Sequence, residues 1–202
     1  MNPYEVVRMF EAAAAKYTGA PYAVAVNSCT NALFLCLAWH QWSNRLPEVI
    51  EIPKLTYVGV PMQIRYVGAK VKFREELWTG VYQLAPLPIW DSACRFRAAM
   101  YDSGHFVCTS HHWNKPLGIQ AGGLILHDDI KADRWFRRAR FDGRTEGVPP
   151  AKDKFDQPGW HMMMSPENAA AGLARLSFLP RDNPDKPRDP GYPDLSTAPI
   201  FR

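Results

Sequence analysis

The chain has 202 residues, a length that allows one domain with a substantial apolar core. Apolar residues make up 47% of it and charged residues 22%, as in ordinary soluble globular proteins, and no apolar run reaches the ~20 residues of a membrane span. The net charge of +4 is spread without a Lys/Arg block, so we expect neither a nucleic-acid partner nor a membrane partner.

The first half of the chain alternates between short apolar runs and segments with helical spacing. The alanine run at 12–15 strongly favours a helix, and Pro61 fits the first turn of another. The pattern predicts helices at 4–17, 30–42 and 58–67 and strands at 22–26, 49–53, 69–73 and 87–91.

The second half continues the alternation, which indicates an α/β protein. Ser165 has the position of an N-cap, and a Gly/Pro-rich loop at 143–159 is of the kind that is functional or mobile. The pattern predicts strands at 106–109 and 123–126 and helices at 128–140 and 166–179.

Prolines recur from residue 180 to the end of the chain, so this segment cannot form a helix. We expect it to be extended, and either disordered or draped over a partner. The predicted organisation is therefore one domain at 1–179 followed by a Pro-rich tail at 180–202.

The N-terminus lacks a basic region followed by an apolar stretch, so we expect no signal peptide and a cytoplasmic location. The cysteines show neither CxxC nor zinc-ligand spacing. In a reducing compartment this predicts four free thiols, Cys29, Cys36, Cys94 and Cys108.

A polar loop with Lys115 near its centre joins the two predicted strands of the second half. A lysine amine can form an imine with an aldehyde cofactor, and the hydroxyl of Ser110, five residues earlier, can hold that cofactor's phosphate. Most lysines, however, are solvated surface charges. His111 and His112 could be metal ligands, but no carboxylate or thiolate pattern completes a site, so we expect no metal.

Three further segments place polar groups where strands end. Ser28 and Thr30 precede a helix, whose N–H groups bind phosphate, although a plain N-cap explains them too. Asp91 ends an apolar strand, where it needs a positive partner or serves as an N-cap. Tyr57 could stack on a flat ring, or it is an ordinary core or surface tyrosine.

Together these segments resemble the DegT/DnrJ/EryC1/StrS family of pyridoxal-phosphate sugar aminotransferases, which have the type I aminotransferase fold. The motifs that carry the likeness are Ala25 to Leu33, Ile52 to Tyr57, Asp91-Ser92-Ala93, Ser110 with Lys115, Ala121 to Gly123, and Gly159 to Ser165 with the helix that follows. The resemblance implies an α/β large domain with a mixed, mostly parallel sheet flanked by helices, and with the C-terminal small domain of the family missing.

The resemblance also implies pyridoxal 5'-phosphate as cofactor and a role for each site residue. Lys115 would form the internal aldimine and move the substrate proton, and Asp91 would keep the ring nitrogen protonated. Tyr57 would stack on the ring. The residues implied in binding the phosphate are Ser28, Cys29, Thr30 and Ser110, with His161 at the position from which the family's asparagine reaches the phosphate of the other subunit.

The implied reaction is transamination from glutamate or glutamine to a nucleotide-linked keto sugar, in a homodimer whose two subunits complete each site. The chain departs from the family at several points. Cys29 replaces a glycine, which would strain the turn if it needs a positive φ. Cys94 replaces a His or Gln, and His161 and Met163 replace an Asn and an Arg. The stretch 73–88 is shorter than the family's strand–helix unit.

Three alternatives remain open. A non-catalytic relative that keeps the fold and binds a partner fits the departures, whereas the retained pair of Lys115 and Asp91 opposes it. A pyridoxal-phosphate sugar dehydratase would carry histidine in place of the lysine, and here the lysine remains, with His111 and His112 nearby. The third alternative is a small α/β binding protein without a cofactor.

Overall fold

The structure, a computed structural model, describes residues 4–201. Residues 1–3 of the predicted domain and residue 202 of the predicted Pro-rich tail lie outside the described residues. Every predicted helix and strand is found, with ends that differ by at most three residues. The sequence pattern did not predict the two-residue strand Tyr82–Gln83. In chain order the elements are α1 (Glu5–Thr18), β1 (Tyr22–Val26), α2 (Cys29–Trp42), β2 (Val49–Pro53), α3 (Gly59–Tyr66), β3 (Lys70–Arg74), β4 (Tyr82–Gln83), β5 (Ile89–Ser92), β6 (Phe106–Ser110), β7 (Gly123–His127), α4 (Ile130–Ala139) and α5 (Pro166–Leu176).

The central sheet has five strands in the order β1-β7-β6-β5-β4, and β2 pairs with β3 in a separate parallel pair. The expected α/β architecture with a mixed sheet flanked by helices is confirmed. The sheet is less parallel than expected, because only β5 and β6 run side by side in the same direction, while β7 lies antiparallel to both β1 and β6 and β4 antiparallel to β5. The cause is the loop at 111–122, which returns the chain from β6 into the adjacent β7.

Alternating side chains divide the apolar residues between the two faces of the sheet. In β1, Val24 and Val26 join the core formed with α2 and α4, whereas Ala23 and Ala25 join the core formed with α1 and α5. Helix α2 is buried from Cys29 to His40 except at its second and third residues, which explains its nearly continuous apolar sequence. Such a helix positions its N-terminus rigidly at the edge of the sheet.

Helices α1 and α5 pack closely on the second face. A Cβ at Gly172 of α5 would lie 2.8 Å from the ring of Phe10, so the glycine permits the approach of the two helices. Among residues 4–201 no helix combines the length and the apolar character needed to cross a bilayer.

The Pro-rich tail lies along the chain's own domain, which differs from the expectation that it is disordered or draped over a partner. Leu195 is buried, and its N–H donates to the Lys54 carbonyl at 3.1 Å. The ring of Phe201 packs edge-on against Phe73, with 5.7 Å between the centroids. The tail is extended apart from two short 3-10 turns near its end, at Leu195–Thr197 and Pro199–Phe201.

Candidate functional site

A cavity of about 380 Å³ opens where β1, β5 and β6 end, a volume within the range of small-molecule sites. These three strands run in the same direction, so the polar residues at their carboxyl ends meet at one edge of the sheet. Of the predicted site residues, the cavity is lined by Ser28, Cys29, Thr30, Tyr57, Asp91, Ser110 and Lys115.

The N-terminus of α2 forms one side of this cavity. The Ser28 Oγ accepts a hydrogen bond from the Asn31 N–H at 3.1 Å, so Ser28 is an N-cap, as the plainer interpretation held. This bond uses a lone pair and leaves the hydroxyl proton to donate to an anion. A Cβ at Gly123 would lie 2.7 Å from the Cys29 nitrogen, so only glycine lets β7 pass this close to the turn.

Cys29 does not strain the turn, which corrects the concern raised by its replacement of a glycine. It is the first residue of α2 and is not among the described residues with positive φ. Its Sγ lies 3.6 Å from the Cys108 carbonyl and 4.0 Å from Asp91 Oδ1. Burial, followed by the charge of Asp91, raises the pKa of the Cys29 thiol, which therefore stays protonated as a weak donor.

Asp91 is a buried carboxylate held by two good donors. The Ala93 N–H donates to Oδ1 at 2.9 Å and the Tyr82 hydroxyl to Oδ2 at 2.8 Å. Burial raises the pKa of Asp91, while these two hydrogen bonds and the charge of Lys115 act in the opposite direction. A buried carboxylate is costly without a cation, so a positively charged ligand nitrogen would be stabilised beside it.

Tyr82, on the unpredicted strand β4, fixes the orientation of Asp91. Its hydroxyl oxygen accepts from Thr56 Oγ1 at 2.6 Å while its proton goes to Asp91, and the indole of Trp78 packs 4.8 Å from its ring. We expect Tyr82→Phe to lower the free energy of unfolding by about 1–3 kcal/mol, because it leaves a buried carboxylate oxygen without its donor.

Urea unfolding followed by tryptophan fluorescence measures this effect. The control is Tyr66→Phe, since Tyr66 is 73% exposed and its change should stay within about 0.5 kcal/mol. Equal small changes in the two variants would contradict the role given to Tyr82.

Lys115 reaches the cavity from the loop between β6 and β7. Its backbone N–H donates to the His112 carbonyl at 2.8 Å, and its Nζ donates to Cys94 Sγ at 3.3 Å. The loop tightens at Gly118, which has φ 58° and where a Cβ would lie 2.9 Å from the Trp113 carbonyl oxygen. The amine is thus held in the same cavity as the carboxylate of Asp91.

The two histidines of this loop lie in different environments. His112 lines the cavity, whereas His111 is buried edge-on against Phe10 and Phe96. Burial lowers the pKa of His111 to about 3, so its ring stays neutral. Within the part of the chain that the structure describes, no group of three or more His, Cys, Asp or Glu side chains is arranged to hold a metal ion.

His161 is the predicted site residue that the structure does not bring to the cavity. Its side chain is 78% exposed, and its Nδ1 lies 3.0 Å from Asp142 Oδ2. The neighbouring Met163 forms an isolated bridge with Val26, which directs this segment along the edge of the sheet.

Sequence reasoning missed several residues of the cavity. Asn27 lies within the motif Ala25 to Leu33 and Asn114 lies next to Lys115, but neither was singled out. Asp189 and Tyr192 belong to the Pro-rich tail, and a tyrosine between glycine and prolines was the only local signal for them.

The sequence of this chain matches a protein-family model, and its fold matches several solved structures. Residues 1–76 match the model of the DegT/DnrJ/EryC1/StrS aminotransferase family. AtS13 from Actinomadura melliaura superposes with a TM-score of 0.75 at 19% identity, over 86% of this chain and 60% of that chain. No curated protein matches the chain in sequence.

Two further structures share the fold. A DegT DnrJ EryC1 StrS aminotransferase from Brucella abortus has a TM-score of 0.67 at 18% identity, over 87% of this chain and 59% of that one. A GDP-4-keto-6-deoxymannose-3-dehydratase with a trapped PLP-glutamate geminal diamine has a TM-score of 0.71 at 18% identity, over 87% and 61%. This chain thus spans about three fifths of the length of each of these structures. The resemblance to the DegT/DnrJ/EryC1/StrS aminotransferase family, stated from the sequence motifs, is confirmed.

Proposed function

We propose that this chain binds pyridoxal 5'-phosphate through Lys115 and transfers an amino group from glutamate or glutamine to a nucleotide-linked keto sugar. The observation that carries the proposal is the shared cavity. It joins one amine, one buried carboxylate and the hydroxyls at a helix N-terminus, in a volume that suits a small cofactor.

The chemistry of the lining residues fits this cofactor. The first turn of α2 and the hydroxyls of Ser28, Thr30 and Ser110 would hold the phosphate, because helix N-termini favour anions. The buried Asp91 would pair with the ring nitrogen, and Tyr57 would lie against the ring. When bound, the cofactor supplies an aldehyde that condenses with amines and a ring that withdraws electrons.

Lys115 would act as both attachment point and proton carrier. When not bound to the cofactor, its amine would be the group that takes the proton from the substrate α-carbon as general base and gives it, as general acid, to the carbon that came from the cofactor's aldehyde. Cys94 Sγ accepts a hydrogen bond from Nζ at 3.3 Å and so would help to hold the amine at the cavity.

Aminotransfer is favoured over dehydration by the residue at the lysine position. Lys115 lies at the cavity together with His112, whereas His111 is turned into the core. A dehydratase of this family would carry histidine where this chain has the lysine. We further propose a cytoplasmic homodimer, in which the exposed His161 segment faces the site of the second copy as the family resemblance implies.

The test uses the full chain with added pyridoxal phosphate. We expect an absorbance band of the covalent complex that survives dialysis, and borohydride reduction should fix the cofactor mass on the peptide that contains Lys115. Addition of L-glutamate or L-glutamine should then bleach the band. A missing band, or attachment to another lysine, would refute the proposal. A band that no donor bleaches would favour the non-catalytic relative.

A further inference from the structure

The tail segment 185–195, here called the strap, crosses the candidate site and is fastened at its first end to the segment after β5. Asp185 makes a two-pronged ion pair with Arg95, at 2.9 Å from Nε and 2.6 Å from Nη2. The Lys186 N–H donates to the Cys94 carbonyl at 2.9 Å, and the Gly80 N–H donates to the Lys186 carbonyl at 3.1 Å.

Gly80 shows how closely the strap fits here. It has φ 75°, a backbone conformation that side chains rarely adopt, and a Cβ on it would overlap the carboxylate of Asp185. Only glycine at position 80 therefore lets the strap lie this close to the domain surface.

The strap is also fastened to two other segments of the site. Lys186 Nζ donates to the Asn114 carbonyl at 2.8 Å, next to Lys115. At the far end Lys54 Nζ pairs with Asp194 at 2.9 Å, beside the hydrogen bond from Leu195 to the Lys54 carbonyl. The strap thus contacts the segment that follows Asp91, the loop that carries Lys115, and the segment before Tyr57.

Between these anchors, Asp189 and Tyr192 line the cavity. The Asp189 carboxylate accepts from the Gly191 N–H at 2.8 Å, and the Tyr192 N–H donates to the Asp189 carbonyl at 3.2 Å, so a turn fixes the two side chains relative to each other. Burial, with the nearby charges of Cys94 and Asp91, raises the pKa of Tyr192 to about 12. The pair therefore offers a carboxylate acceptor and a protonated phenol.

The charges of the cavity indicate which substrate groups this pair accepts. Lys115 and His112 are the basic side chains among the described lining residues, which include no arginine, and Asp189 adds a second carboxylate to that of Asp91. A substrate carboxylate next to Asp189 would meet a like charge, whereas hydroxyl groups can donate to Asp189 and accept from Tyr192.

We propose that Asp189 and Tyr192 form a binding subsite for the hydroxyl groups of a sugar substrate. This subsite rests on the proposed function, since the sugar must lie beside the cofactor held by Lys115. In this proposal the strap recognises the sugar, and the motifs that resemble the family do not.

Two amine probes test the subsite on the full chain loaded with pyridoxal phosphate. D-glucosamine carries hydroxyls on a six-membered ring, and cyclohexylamine lacks them. The readout is the amine concentration that gives half of the maximal change in the absorbance of the bound cofactor. We expect Asp189→Ala and Tyr192→Phe each to raise this concentration about tenfold for D-glucosamine and less than about twofold for cyclohexylamine.

Asp182→Ala is the matched control, because Asp182 is an exposed carboxylate of the tail shortly before the strap and does not line the cavity. It should leave both probes unchanged. Tyr192→Phe keeps the aromatic packing, so it tests the subsite even if Asp189→Ala fails to fold. An equal effect on both probes, or none on D-glucosamine, would overturn the subsite while the absorbance band preserves the proposed function. Absence of the band in the unmodified chain would instead overturn the proposed function and the subsite with it.

Discussion

Lys115→Ala is expected to abolish the covalent attachment of pyridoxal phosphate and to reduce aminotransfer by at least about 10³-fold. The structure places this one amine in the cavity with Asp91 and Ser110, and Nζ already lies within 3.3 Å of Cys94 Sγ. No absorbance band and no borohydride-stable adduct should form. The fold should persist, because the side chain is only partly buried and makes no ion pair with a carboxylate among the described residues.

Two controls separate the amine from its charge. Lys131→Ala removes an exposed lysine of α4 and should leave the band intact. Lys115→Arg keeps a positive charge near Asp91 but cannot condense with an aldehyde, so it too should lack the band. An adduct that forms on either Lys115 variant would show that another amine carries the cofactor.

The motif residues of the site were predictable because each depends on short stretches of sequence. Ser28 follows an apolar strand and precedes a helix, and Asp91 and Ser110 stand at the ends of other strands. In an α/β sheet such ends converge at one edge, so the pattern locates the cavity before any contact is known. The hydrogen bond from the Asn31 N–H shows that Ser28 is a cap, and its ligand role stays a prediction that agrees with this bond, since one hydroxyl can serve both.

The other parts of the site depend on contacts between distant segments, which no local pattern records. Tyr82 lies on a strand of two residues, and its hydrogen bond to Asp91 exists only because β4 turns back along β5. Asp189 and Tyr192 reach the cavity because Arg95 and Lys54 fasten the strap at its ends. Proline content predicts an extended chain but not the surface on which that chain lies.

The largest expected effect on stability comes from Glu11→Gln. Glu11 is 4% exposed and Arg140 2% exposed, and the two form an ion pair in the interior between α1, β1 and the end of α4. Arg137 Nη1 donates to Glu11 Oε2 at 2.7 Å, and the Ala25 N–H donates to Oε1 at 2.8 Å. Neutralising the carboxylate removes the buried counter-charge of Arg140, which among the described residues keeps only its pair with Glu146 at 3.1 Å, and we expect a loss of about 3 kcal/mol or more of unfolding free energy.

Urea unfolding at pH 7 measures the loss, with Glu5→Gln as control. Glu5 lies on the same helix, but its pair with Arg8 is exposed and should contribute less than about 1 kcal/mol. A loss for Glu11→Gln no larger than that of the control would mean that the buried pair contributes nothing beyond its packing.

The pH dependence provides an independent test of the same pair. Burial alone would raise the pKa of Glu11, but Arg140, Arg137 and the Ala25 N–H together hold it below the ordinary 4.5. A carboxyl whose pKa is lower in the folded state stabilises the protein above the unfolded-state pKa, and loses that contribution as the pH falls through the folded-state value. The difference in stability between the unmodified chain and Glu11→Gln should therefore be constant near pH 7 and shrink as the pH falls below about 4.5. A difference that stays constant through this range would assign the stabilisation to the shape of the side chain instead of its charge.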